Sequence, residues 1–186
     1  MAAPTSPRVA PQLRGAGQIR YALLGSYADG MLDLDRIDVD EIATALADQT
    51  DYDHRWLIDP STGEVVFWTS DTGIDGENPV DLDELDLILI DPLPSYVWYQ
   101  DMVDFAGGIS DRAAGHRLSR ALDGKGAFRR FRNELYERHP ELISVWQSTR
   151  DARARARAVG WLVEQGLVEE EAAQRFADDH PEPALP

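Results

Sequence analysis

The residues best suited to chemistry lie in one run, Gly124-Lys125-Gly126-Ala127-Phe128-Arg129-Arg130-Phe131. A glycine-flanked lysine stands at a turn, and a helix carrying two arginines opens directly after it. The free amides of a helix start, beside Lys and Arg, suit a phosphate or a carboxylate. The run is not a nucleoside-triphosphate loop. Ser119 holds the place of the upstream glycine, and Gly126 stands where Ser or Thr would follow the lysine. The competing reading is a joint between two helices, with the phenylalanines in the core and the cations in water.

A second basic run, Arg150, Arg153, Arg155 and Arg157, alternates with alanine. On a helix, positions 150, 153 and 157 lie near one face and 155 points elsewhere. Such a face could hold RNA, DNA or an acidic protein, or it could pair with acids of its own fold. Both basic runs fall in a helical hairpin, so they could converge.

Other groups offer less. Aspartates cluster at Asp33, Asp35, Asp38 and Asp40 and again at Asp81, Asp83 and Asp86, but a calcium-loop pattern started at Asp71 fails, with Gly73 third and Leu82 twelfth. Asp71-Thr72-Gly73 matches the short aspartic-protease signature, yet that chemistry needs a second aspartate, and no second copy of the motif exists. His54, His116, His139 and His180 lack metal-ligand spacing. His116 and His139 fall in the basic half and could join a site there, but read as ordinary helix-surface positions. No cysteine is present, which removes disulfides, thiolate metal sites and cysteine nucleophiles. No serine stands in a nucleophile elbow. Trp98, Tyr99, Trp146 and Trp161 could stack on a ligand, but their spacing beside other apolar residues fits a core.

These candidates need elements to position them. Val39, Ile42, Ala43 and Leu46 recur at helical spacing and predict a helix over Val39–Gln49, with Asp38 as cap and Glu41 in capping-box position. His54–Asp59 and Glu64–Thr69 are rich in β-formers and flank Pro60-Ser61-Thr62-Gly63, a turn. Leu87–Ile90 predicts a third strand. Helices follow from a Ser95 cap, an Asp111 cap and the Gly126 region, the last with Phe128, Phe131 and Leu135 on one side. Another opens at Pro140 and runs to Gln165, closed by Gly166-Leu167, and a short last helix spans Glu169–Ala177. The fold expected is α+β: a small antiparallel sheet of about three strands with an N-terminal helix, packed against a helical C-terminal half. Residues 1–30 read as a disordered tail, 31–168 as a single domain, and 169–186 as a short helix and acidic, proline-rich tail.

Charge is segregated. The net charge is -16. Residues 29–111 hold 22 acids and two bases, whereas residues 112–157 hold twelve bases and five acids. The acidic surface disfavours nonspecific attachment to nucleic acid or anionic lipid. No apolar run reaches the length of a membrane span, and no secretory h-region follows the start, so a cytoplasmic location is expected.

The order of several segments resembles a known family. Asp40-Glu41-Ile42-Ala43 precedes Thr62-Gly63-Glu64-Val65-Val66. Then come Tyr99-Gln100-Asp101-Met102-Val103-Asp104-Phe105 and the Arg120–Phe131 run, followed by Leu142 with Trp146 and by Trp161-Leu162. Together they are similar to the bacterial uncharacterised protein family 0158, over about residues 37–167. The resemblance implies a stand-alone bacterial protein and brings no activity, substrate or cofactor. The residues themselves point to a non-catalytic binding or regulatory module. Its expected site is Lys125, Arg129 and Arg130, joined by Arg153 and Arg157, holding a small phosphorylated ligand or an acidic protein. The alternatives are nucleic-acid binding through the same block and a divalent-metal hydrolase built on the acidic loops.

Overall fold

In a computed structural model, residues 30–50 and 53–186 are described; positions 1–29 of the expected N-terminal tail lie outside them. Helix α1, Val39–Ala47, begins where expected, with the Asp38 carboxylate accepting from the Glu41 amide at 3.0 Å. Strands β1 (His54–Ile58), β2 (Val65–Thr69) and β3 (Ile88–Ile90) form an antiparallel sheet in the order β2-β1-β3. Register pairs Trp56 with Phe67 and with Ile90. The alternation of strand side chains therefore puts Trp56, Ile58, Val65 and Ile90 on the face toward α1. The loop after β2 is tied down by the Trp68 indole, which donates to the Val80 carbonyl at 2.8 Å. Asp71-Thr72-Gly73 lies in this loop as a turn: Thr69 and Gly73 exchange backbone hydrogen bonds of 3.1 and 2.9 Å.

The helical half comprises α2 (Ser95–Gly108), α3 (Arg112–Ala121), α4 (Ala127–Arg138), α5 (Ile143–Glu164) and α6 (Glu170–Asp179). Pro94, not Ser95, holds the cap of α2. Asp111 caps α3, accepting from Ala113 and Ala114. A 3-10 turn at Pro140–Leu142 feeds α5. Gly166 (φ +70°) stops α5, and the Leu167 amide reaches back to the Leu162 carbonyl at 2.9 Å.

Two apolar clusters form. One joins α1, the sheet, the C-terminal half of α5 and Val168. The other joins α2, α3, α4 and Leu142, with Trp146 of α5 packed against it. Helix α5, 22 residues and therefore about 33 Å long, serves both. Its length is what fixes the two clusters relative to each other. Residues 181–186 run back over the helices. Glu182 meets Arg153 at 2.8 Å, and the Ser110 amide donates to Pro186 at 2.6 Å. No helix of the described residues is long and apolar enough to cross a membrane.

Candidate functional site: a ring-and-arginine groove

Helix α4 depends on the turn before it. Gly124 and Gly126 take φ of +74° and +78°, a region in which a side chain is strained. Arg130 folds back beneath this turn. Its Nε donates to the Ala121 carbonyl at 3.0 Å, and its Nη atoms donate to the carbonyls of Lys125, Asp123 and Gly124. Those carbonyls are the orphan acceptors of the α3 end and its turn, so one guanidinium closes the joint. Arg130 is therefore a fastening within the chain. Lys125 sits at the tip of the turn, exposed.

The arginines of α5 meet the chain's own acids. Asp101, 1 % exposed, accepts from Arg157 at 2.5 and 2.8 Å and from Arg153 at 3.1 Å. Arg153 also holds Glu182 at 2.8 Å and Asp104 at 2.9 Å, so Glu182, with Asp101 and Asp104, keeps its guanidinium still more firmly protonated than usual. Arg157 lies over the Trp98 ring, 5.1 Å from its centroid. Arg155 pairs with Asp40, and its hydrogen bond lowers the Asp40 pKa. Arg150 pairs with Asp151, its neighbour in sequence.

A groove of about 1300 Å³ opens between α1, α2, α4 and α5. Along α4 it presents Phe128, Arg129, Arg132 and Tyr136. Phe128 and Tyr136 are each 48 % exposed. Trp98 and Trp146 lie on the α2 and α5 sides; Trp146 is held at 5.1 Å from both Phe105 and Phe131. The α1 wall carries Asp40 and Asp48. Burial opposes the charge of Asp48, but hydrogen bonds from Thr50, Trp56 and His54 prevail and hold its pKa well below the usual carboxylate range. Its contacts are 2.8 Å to the His54 ring, 2.8 Å to the Trp56 indole and 3.0 Å to the Thr50 amide. The groove's acids are thus engaged, whereas Arg129 and Arg132 have no hydrogen-bond or ion-pair partner among the described residues.

Of the five residues expected at the site, Arg129 lines the groove and the other four do not. Lys125 and Arg130 belong to the turn, and Arg153 and Arg157 are gathered around Asp101. Phe128 is exposed rather than in the core stripe, which is Ala127, Phe131 and Leu135. It shares that side of the helix but sits in the first turn, outside the Phe105, Phe131 and Trp146 cluster. Sequence reasoning passed over Arg132 and Tyr136. The available signal was the spacing of four from Phe128 to Arg132 to Tyr136, a second stripe beside the core stripe. His139 also departs from expectation: it is 7 % exposed, with Nδ1 3.4 Å from Glu141. Among the described residues, no three of His, Cys, Asp and Glu gather into a group able to hold a metal ion.

The sequence profile of an uncharacterised protein family, UPF0158, matches residues 31–177, a span that contains every groove-lining residue. The UPF0158 protein PA5073 of Pseudomonas aeruginosa is 33% identical over 138 residues, covering 70% of this chain and 84% of that protein. No solved structure matches. The chain belongs to the UPF0158 family.

Proposed function

We propose that this UPF0158 member is a non-catalytic binding module that holds an anionic group in the groove, on Arg129 and Arg132. The observation that supports this reading most is the contrast among the arginines in and beside the groove. Arg130, Arg150, Arg153, Arg155 and Arg157 are each taken up by carbonyls or carboxylates of the chain. Arg129 and Arg132 are left with their donors free, beside exposed rings. An unpaired guanidinium pairs with a carboxylate or phosphate through charge-assisted hydrogen bonds. Lys125, one turn away at the tip of the joint, adds charge at the groove's end in this reading. Residues 31–168 act as the one domain, with 169–186 laid over it, and a cytoplasmic location is part of the same proposal.

The test is thermal unfolding with phenyl phosphate, which offers an anion and a ring together. Ligand at a hundred times its Kd stabilises by about 2.7 kcal/mol, a rise of several degrees in Tm. Arg129→Gln/Arg132→Gln removes the rise under this reading and leaves the unliganded Tm close to the parent's. An equal rise in parent and variant sends the site elsewhere.

A further inference from the structure

The groove's lining narrows the class of its ligand. Its apolar lining is ring rather than branched aliphatic: the exposed Phe128 and Tyr136 on α4 and the half-buried Trp98 and Trp146 opposite, with alanines and the buried Met102 and Phe131 behind them. Along α4 the order is ring, guanidinium, ring at positions 128, 132 and 136, each step rising about 6 Å, with Arg129 beside the first ring. A simple inorganic anion would use the arginines and leave the rings in water. An acidic peptide would also satisfy the arginines, but its aliphatic side chains would meet faces suited to flat partners. Planar bases stack on aromatic rings and on guanidinium planes, and the phosphate between them meets a second guanidinium. We infer that the groove takes nucleotide chemistry: an unpaired base laid on Phe128 or Tyr136, with its phosphate on Arg129 and Arg132. This inference rests on the anion-binding reading above.

The form of the nucleic acid follows from the same features. A duplex hides its base faces, so the rings could not stack on it. A duplex also depends on a broad positive field, whereas this chain carries a net charge of -16. Two free cations flanked by rings suit a short contact with unpaired nucleotides. The groove volume of about 1300 Å³ exceeds the roughly 300–1,000 Å³ of drug-sized pockets, so there is room for more than one nucleotide unit. The shared chemistry has two sources, a free nucleotide and a single strand. The groove carboxylates do not contradict this, because Asp40, Asp48 and Asp101 each already hold donors from the chain.

The experiment is fluorescence anisotropy of labelled oligouridine and oligoadenine across a salt series, with a duplex of the same length. Adenosine monophosphate, unlabelled oligonucleotide, inorganic phosphate and a polyglutamate peptide serve as competitors and as separate ligands in thermal unfolding. The variants are Arg129→Gln/Arg132→Gln and Phe128→Leu/Tyr136→Leu, each verified as folded by circular dichroism. The inference expects single-strand or monophosphate binding, with the duplex far weaker. Loss of both rings in Phe128→Leu/Tyr136→Leu should weaken affinity at least roughly tenfold, from stacking of ~1–3 kcal/mol per base. Loss of each arginine should flatten the slope of log affinity against log salt by about one. Competition by the monophosphate at concentrations like those of the single strand identifies a free nucleotide; competition by the strand alone identifies a single strand. Binding of inorganic phosphate or polyglutamate that ignores the ring variant overturns the nucleotide inference and leaves the anion reading standing. No binding by any of these probes overturns both.

Discussion

Asp101 of α2 and Arg157 of α5 hold each other through two hydrogen bonds, 2.5 and 2.8 Å, with the carboxylate 1 % exposed. A second guanidinium, Arg153, shares the same carboxylate. The pairing stands where α2 crosses α5, the helix that serves both apolar clusters. It therefore sets how one wall of the groove meets its floor. A buried carboxylate is tolerated because two cations and their hydrogen bonds compensate its lost hydration; taking one side away leaves the other stranded. The arrangement accounts for arginines that look, in the sequence, like a binding face.

Asp101→Asn keeps the shape of the side chain and removes its charge, leaving Arg157 without a carboxylate while Arg153 keeps Asp104 and Glu182. Because Arg157 is partly exposed, the expected cost is about 2–3 kcal/mol. Urea denaturation of the variant reads it directly, and a change below about 1 kcal/mol would mean that the pair contributes little to stability.

Arg129 and Arg130 are adjacent in the chain and opposite in role. Arg130→Gln removes donors from the carbonyls of the α3–α4 turn, and hydrogen bonds of charged groups are each worth about 1.5–3 kcal/mol. A loss of about 2 kcal/mol is expected, because water re-solvates part of the turn. Arg129→Gln touches no internal partner and should change stability by under about 0.5 kcal/mol. Paired denaturation curves check the contrast; equal losses would contradict it.

Stability should fall on acidification, with Asp48 contributing through its hydrogen bonds from Thr50, Trp56 and His54. Its folded pKa is depressed. Its contribution is therefore present above the unfolded value near about 3.9 and is lost as pH falls through that value toward the folded one. Asp40, Asp104 and Asp111 are shifted in the same direction. Asp48→Asn should lower stability at neutral pH and flatten the fall below about pH 4. Denaturation midpoints measured between neutral pH and about pH 3 test the sign; an acid limb as steep in Asp48→Asn as in the parent excludes this group as a contributor.

At the end of α2, Gly108 lacks a side chain where Leu185 packs: a Cβ there would lie 2.3 Å from the Leu185 Cδ1. That atom is the tip of a flexible side chain, so Gly108→Ala should displace the tail rather than the helix. Alanine also favours the helix by up to ~1 kcal/mol, so global stability should scarcely change. The Ser110 amide, which donates to Pro186, should exchange with deuterium markedly faster in the variant. Unchanged exchange would show that Leu185 repacks without releasing the tail.

Local signals carried much of the fold. The Asp38 and Asp111 caps, the Pro140 start and the Gly166 stop depend on neighbours within a few residues, so they were readable and lie where expected. The hairpin was readable for the same reason. The pairing of β3 with β1, across the loop that carries Asp71, was not, because it depends on contacts distant in sequence. The site shows the same division. That Lys125, Arg129 and Arg130 stand at a helix joint is local information. Which arginine turns inward depends on partners far along the chain. Asp101 lies 56 positions from Arg157 and Asp40 lies 115 from Arg155. Alternating alanine and arginine cannot reveal those partners.

The central claim is that the free face of α4, and not the arginines of α5, receives the ligand. Two-dimensional nitrogen–proton NMR of the labelled protein, titrated with phenyl phosphate, tests it most directly. The account predicts saturable shifts at the Phe128–Arg132 amides, the Arg129 and Arg132 Nε–H groups and the Trp98 or Trp146 indole, with the Nε–H groups of Arg153 and Arg155 unmoved. Shifts centred on Arg153 and Arg155, or no saturable shift at Arg129 and Arg132, would contradict it.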